Sequence, residues 1–157
     1  MAPGDAPVVE EPMLVRDLMS AQTISAPPSL PLTEAARLLQ SHGIRRLPVV
    51  EEGQLVGIVS DRDLREALPS TLSTLSMWEA TTRLASLRVA DIMKRNVLTT
   101  TPDADARDAA HTLLEHRVGA LPVIDGTGQV VGLLSVSDVL RDYARPAAAT
   151  PVPELTP

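Results

Sequence analysis

Residues 57–63 read G-I-V-S-D-R-D, and residues 132–138 read G-L-L-S-V-S-D. Both stretches place a serine three residues before an aspartate, directly after a short apolar run. This spacing is typical of a capping box, in which serine and the acid satisfy the free amides at the start of a helix. The two stretches therefore predict two closing helices, at residues 61–68 and 136–143, each entered from a strand.

The rest of the chain repeats in the same order. The pattern V-x-D-h-M occurs at 15–19 and 89–93, and L-P-V occurs at 47–49 and 121–123, so the two copies are 74 residues apart in this part. The hairpin turn of the second copy has one extra residue, so the offset is 75 for the G-h-h-S-x-x-D motifs that follow it. Each copy predicts a β-α-β-β-α unit: a short strand near 23–25 or 97–99, a helix with paired alanines, and a hairpin that returns through 55–59 or 130–134. A unit of about 50 residues buries too little surface to be stable alone. We therefore expect an α+β fold in which tandem repeats pack sheet to sheet with pseudo-twofold symmetry.

The pattern also predicts the boundaries. The first repeat spans 13–68 and the second spans 89–143, and the tails at 1–12 and 144–157, rich in Pro and Ala, are expected to be disordered. Residues 69–88 keep near-helical spacing of apolar residues and are expected to form a bridging helix. That helix carries Trp78, and its two interpretations are a plain linker and a dimer contact.

Composition excludes several classes of function. The chain has no cysteine, which removes disulfides and thiolate chemistry, and a single Trp and a single Tyr, which leaves little for stacking nucleic-acid bases. A net charge of −6 disfavours binding to a phosphate backbone. No apolar run approaches the length of a membrane span, and the first residues lack the features of a secretory signal. We expect a cytoplasmic protein that contacts neither nucleic acid nor membrane.

V-x-D-h-M, paired alanines, L-P-V-h and G-h-h-S-x-x-D, in this order and twice, resemble a CBS domain pair (a Bateman module) over residues 15–142. The chain is similar to free-standing CBS proteins and to the CBS part of AcuB-type acetoin-utilization proteins. The resemblance implies a homodimer that binds adenine nucleotides in clefts between paired repeats. It also implies a regulatory role, such as sensing energy state.

The chemistry of the repeated motif gives the same site independently. A strand that ends in serine and opens a helix presents free amides, which attract phosphate. An aspartate one turn later accepts two hydrogen bonds and suits the hydroxyls of a ribose. Gly57 and Gly132 lack a side chain and would let a ligand approach the backbone. The candidates are Gly57, Ser60, Asp63, Ser135 and Asp138, and the alternative interpretation is a pair of plain helix caps.

The resemblance adds residues for the base and the phosphate. It implies an aliphatic base pocket, and the matching positions are Thr23, Ile24, Val97, Leu98, Arg46, Leu47, Ala120 and Leu121, with Pro48 and Pro122 beside them. The alternative for these positions is ordinary core, which we expect for Leu47 and Leu121. In nucleotide-binding relatives, basic residues before L-P hold phosphate oxygens. The first repeat has Arg45 and Arg46 there, whereas the second has Gly119 and Ala120, so we expect unequal sites with one stronger ligand. The alternative is that the two arginines are solvated surface charges.

Three classes of function compete. The first is a non-enzymatic regulatory module that binds AMP, ADP or ATP and requires neither cofactor nor metal, with S-adenosylmethionine as another possible ligand. The second is a ligand-free dimeric adaptor that binds a partner protein. An enzyme is disfavoured because the sequence shows no nucleophile–base pair, carboxylate pair or metal cluster.

Overall fold

The computed structural model describes residues 10–21, 24–67, 82 and 85–146. Helices and strands alternate in two similar halves. In chain order they are α1 Val15–Leu18, α2 Leu32–His42, β1 Arg46–Glu51, β2 Gln54–Ser60, α3 Asp61–Ala67, α4 Val89–Ile92, α5 Ala106–Glu115, β3 Ala120–Ile124, β4 Val130–Ser135 and α6 Val136–Tyr143.

Each half contains one antiparallel hairpin. β1 pairs with β2 and β3 pairs with β4, so both predicted return strands are confirmed. The first turn holds Glu52 and Gly53 at φ 50° and 76°, the left-handed pair that matches the twist of a two-residue hairpin. In place of the short strands predicted at 23–25 and 97–99, single parallel bridges join Ala26 to β1 and Thr100 to β3.

The helices α2 and α5 cover the hairpins with one apolar face each. Because their buried side chains recur at helical spacing, the face is continuous; it consists of Leu32, Ala35 and Leu39 in α2, and of Ala106, Ala109 and Leu113 in α5. Helix α2 begins at Leu32, one residue after Pro31, and ends at Gly43, whose φ of 60° is left-handed. These helices fix the chain that leads into β1 and β3.

The short helices α1 and α4 pack on the opposite half of the chain. The amide of Val15 donates to the carbonyl of Ala104, and the amide of Val89 donates to the carbonyl of Leu30, both at 2.9 Å. Val15 is buried in the second core, while Val89 and Met93 are buried in the first. The V-x-D-h-M segments are thus exchanged between the two halves.

The exchange continues into the sheets. Lys94 pairs with Ile58 on the edge of β2 through two backbone hydrogen bonds of 2.9 and 3.0 Å. Ser20 pairs with Leu133 on the edge of β4 through bonds of 3.0 and 3.1 Å. These reciprocal contacts give the molecule its pseudo-twofold symmetry and confirm the predicted fold class of two packed α+β units.

The repeats of the sequence and the packed units of the structure therefore do not coincide at residues 14–20 and 88–94. The tails predicted at 1–12 and 144–157 are described only at 10–12 and 144–146. The bridging helix predicted at 69–88, with Trp78, lies outside the described residues except at 82 and 85–88.

Candidate functional site

Both serine–aspartate motifs form helix caps. The Ser135 hydroxyl accepts from the amide of Asp138 at 3.2 Å, and Asp138 Oδ2 accepts from the Ser135 amide at 2.8 Å. Ser60 and Asp63 make the same two bonds at 3.1 and 2.9 Å. The capping box is confirmed in both halves, and it fixes each carboxylate at the mouth of a strand–helix junction.

A polar cavity of about 390 Å³ opens between the two halves. It combines side chains from the first half with the serine–aspartate motif of the second; its walls are Ser20, Ile24, Gly43, Ile44, Arg45, Arg46, Leu133, Ser135, Ser137, Asp138 and Arg141. Five of the predicted site residues meet here: Ile24, Arg45, Arg46, Ser135 and Asp138. The site is therefore composite, because neither repeat supplies it alone.

Arg46 shows how the two halves combine. Its backbone lies opposite Ser60 in the first hairpin, but its guanidinium lies against Gly119 in the second half, where a Cβ would overlap it. The absence of a side chain at Gly119 thus leaves the space that Arg46 occupies. The arginine pair of the first repeat lines the same cavity as Asp138 of the second.

The two aspartates have different ionic partners. Asp138 Oδ1 lies 3.0 Å from Nη1 of Arg141, one turn along α6. Asp63 Oδ1 lies 3.5 Å from Nζ of Lys94, which arrives with the exchanged segment. At the positions equivalent to Arg141 and Lys94, the chain has Glu66 and Ser20. The two caps are alike in backbone geometry but unlike in charge.

The two motif glycines make room for the protein's own chain. A Cβ on Gly57 would lie 2.7 Å from Sδ of Met93 and 3.0 Å from the carbonyl of Lys94, and one on Gly132 would lie 2.6 Å from Sδ of Met19. The space that we expected a ligand to use is occupied by the exchanged segments. Gly57 therefore serves close packing between the halves, and its role as a ligand contact stays a prediction.

The remaining predicted residues lie elsewhere. Pro48 and Pro122 are fully buried, and their carbonyls accept the amides of Ala26 and Thr100 at 3.0 Å. Ala120 is buried in β3, and Leu98 is exposed. Val97 lines a separate cavity of about 210 Å³ with Gln54 and Thr99, and Thr23 lies outside the described residues.

Sequence reasoning missed three polar groups of the composite cleft: Ser20, Ser137 and Arg141. Arg141 follows Asp138 at i+3, a spacing that places two side chains on one helix face, so its proximity was available from the sequence. Ser20 reaches the cleft only because its segment crosses to β4, which no local pattern indicates.

The described part of the chain contains no group of three or more His, Cys, Asp or Glu side chains that could hold a metal ion. No helix in those ranges is long and apolar enough to cross a membrane.

Two interlocked α+β halves with a composite polar cleft define a paired-domain architecture. The family model of the CBS domain matches residues 15–70 and 89–145, so the chain belongs to the CBS domain family as a domain pair.

Curated relatives include larger proteins. The chain is 33% identical over 137 residues, 87% of its length, to the uncharacterized protein MJ1225 of Methanocaldococcus jannaschii and spans 49% of that protein. It is 32% identical to L-aspartate semialdehyde sulfurtransferase of the same organism over 82% of its own length, but spans only 23% of that enzyme. Sequences similar to this CBS domain pair therefore occur within longer proteins, one of which is an enzyme.

Solved structures of CBS pairs superpose on most of the chain. The CBS domain pair of MJ0100, in complex with 5′-methylthioadenosine and S-adenosyl-L-methionine, has a TM-score of 0.68 at 29% identity and covers 83% of this chain and 99% of its own. CBSX2 of Arabidopsis thaliana in complex with AMP has a TM-score of 0.68 at 30% identity, with 83% and 95% covered. A putative acetoin utilization protein (AcuB) from Vibrio cholerae has a TM-score of 0.70 at 25% identity, with 85% and 91% covered. The resemblance to free-standing pairs and AcuB-type proteins is confirmed.

Proposed function

We propose that this chain is a non-enzymatic regulatory module that binds AMP, ADP or ATP in the composite cleft. One observation carries the proposal: the cleft brings Arg45 and Arg46 of one half to Ser135 and Asp138 of the other. Basic groups for a phosphate and a fixed carboxylate for a ribose are thereby joined in one cavity. Structures of similar CBS pairs with AMP and with S-adenosylmethionine support an adenosine ligand.

The residues that line the cleft suit the ribose, the phosphate and the base of a nucleotide. Asp138 accepts hydrogen bonds from the ribose, and the guanidinium groups of Arg45 and Arg46 bind phosphate oxygens as planar, charge-assisted donors. The base lies among the aliphatic side chains of Ile24, Ile44 and Leu133, which line the same cavity. This arrangement requires no cofactor and no aromatic stacking.

Calorimetry with matched aspartate variants tests the site. AMP, ADP and ATP are titrated into the wild type, Asp138→Asn and Asp63→Asn. Asparagine keeps the size of the side chain and one acceptor oxygen but loses the charge, and both variants disturb the same type of cap. We expect Asp138→Asn to weaken nucleotide binding at least tenfold, while Asp63→Asn stays within about twofold, because only Asp138 lines the cleft.

The reverse pattern would move the ribose site to the first motif. Absence of binding at millimolar concentration by the wild type would refute the proposal and favour the adaptor. Melting temperatures recorded beside each titration separate loss of binding from loss of folding, because a ligand that binds the native state raises the melting temperature.

One surface favours a protein contact in addition. Helix α6 buries no residue, and Val136, Leu140 and Tyr143 share one face with exposures of 38, 59 and 89%. At the first two equivalent positions α3 has Asp61 and Arg65, so the described part of α3 does not share this apolar face. We infer that α6 contacts α6 of a second copy in a homodimer. The same face serves a partner protein in the adaptor alternative.

The proposal includes the regulatory role. A cleft that takes AMP and ATP in competition reports their ratio, which is the basis of an energy sensor. We also propose a location in the cytoplasm, where these nucleotides are plentiful. Competition of ATP for bound AMP, measured by displacement of a fluorescent AMP analogue, tests this role. Simultaneous binding without displacement would contradict it.

A further inference from the structure

We propose that Arg141 and Asp138 form an exchangeable ion pair that makes the cleft select phosphate-bearing adenosine ligands over uncharged and cationic ones. The inference rests on the proposed function and deepens it, because it names the ligand class and a specificity-determining residue, Arg141.

The two carboxylate oxygens of Asp138 have different hydrogen-bond partners. Oδ2 is committed to the helix cap, since it accepts from both the amide and the hydroxyl of Ser135 at 2.8 Å. Oδ1 is held by Nη1 of Arg141 at 3.0 Å. A ribose whose two hydroxyls both donate to Oδ1 needs both acceptor positions of that oxygen and therefore displaces Arg141.

A phosphate gives the released guanidinium a new partner. Arg141 lines the same cavity as Arg45 and Arg46, and its side chain is 69% exposed, whereas that of Asp138 is 14% exposed. The arginine is therefore free to turn while the carboxylate stays fixed by the cap. When a nucleotide binds, Arg141 exchanges its ion pair with Asp138 for one with the phosphate. A nucleoside without phosphate breaks the Arg141–Asp138 pair and offers Arg141 no new partner.

The charge of the whole cleft acts in the same direction. Three arginines and one carboxylate line it, so an anion is attracted and the sulfonium of S-adenosylmethionine is repelled. The first motif has a different arrangement: Glu66 stands in place of Arg141 and pairs with Arg62 at 2.9 Å, and the cation at Asp63 is Lys94 at 3.5 Å. Selection through an arginine is thus a property of the Asp138 cleft.

The test compares three ligands with two matched arginine variants. AMP, adenosine and S-adenosylmethionine are titrated into wild type, Arg141→Gln and Arg145→Gln. Arg145 is the matched control, since it pairs with Asp142 at i+3 and 3.5 Å with nearly the same exposure as Arg141 but is not among the residues that line the cleft. All three proteins are melted without ligand to verify folding.

We expect wild type to bind AMP at least tenfold more tightly than adenosine or S-adenosylmethionine. Arg141→Gln should weaken AMP about tenfold and leave adenosine unchanged or up to about fivefold tighter, because a competing, largely exposed ion pair is removed. Arg145→Gln should leave all three within about twofold.

Two results would overturn the inference while the proposed function stands. One is equal weakening of AMP and adenosine in Arg141→Gln, which would make the residue merely structural. The other is binding of adenosine or S-adenosylmethionine by wild type as tightly as AMP. If wild type binds none of the three ligands and neither ADP nor ATP, the proposed function itself fails.

Discussion

Substitution of Gly57 by alanine tests the exchange of segments between the halves. The new methyl group would lie 2.7 Å from Sδ of Met93 and 3.0 Å from the carbonyl oxygen of Lys94. The thioether is flexible and can turn away, but the carbonyl accepts from the amide of Ile58 at 3.0 Å and cannot retreat without stretching this bond. If α4 packed on its own repeat instead, the methyl group would meet neither atom.

The magnitude follows from overpacking. Inserting a methyl group into a close-packed contact costs about 1–3 kcal/mol of the free energy of unfolding. For a chain of this length, 1 kcal/mol corresponds to a shift of about 2–4 °C in melting temperature, so we expect Gly57→Ala to melt about 2–12 °C below wild type in calorimetry or circular dichroism.

The control is Gly126→Ala, where a Cβ would meet no atom within 4 Å; its effect should stay within about 0.5 kcal/mol. The double variant Gly57→Ala/Met93→Ala should be less destabilised than the sum of its parts, since the clash and the thioether share one space. Strict additivity, or a Gly57→Ala melting temperature within 1 °C of wild type, would refute the exchanged packing.

Three further outcomes are expected. Gly119→Ala should displace the guanidinium of Arg46 and weaken AMP binding in calorimetry. The melting temperature should fall little, because the displaced group is the end of a flexible side chain. Unchanged AMP binding would exclude Arg46 from the phosphate site. Leu140→Glu should convert a dimer to a monomer in sedimentation, whereas Leu114→Glu, also exposed but on α5, should not; a monomeric wild type would count against the α6 interface. Asp125 accepts from the Thr127 hydroxyl at 2.6 Å, which lowers the pKa of the Asp125 carboxyl, so Thr127→Val should raise that pKa toward its ordinary value in an NMR titration. Because this pKa is depressed by folding, the stability it adds is present at neutral pH and is lost as the pH falls through the folded-state pKa, so the difference between Thr127→Val and wild type should vanish in acid.

Local patterns were sufficient for the two hairpins and the longer helices, but not for the short helices α1 and α4. The β1–β2 and β3–β4 hairpins, the covering helices and both capping boxes follow from residues a few positions apart, whose interactions are set by the period of the strand or helix. Leu47 and Leu121, expected in the core, are fully buried.

What the sequence left open depends on contacts between distant residues. A repeat is equally compatible with V-x-D-h-M packing on its own copy or on the other, so the exchange that buries Met93 against Gly57 was missed. For the same reason, the meeting of Arg45 and Arg46 with Asp138 was not assigned. Arg46 reaches the second half only because Gly119 has no side chain, a relation between residues 73 positions apart.

The exchange of α1 and α4 also determines how this chain can be divided. A cut between the repeats would leave one fragment without Val89 and Met93 for its core and the other without Val15. Two such fragments would be mutual complements, each carrying the piece that completes the other. A single repeat with this packing would be complete only as a pair of chains, and the presence of both repeats in one chain makes that association intramolecular.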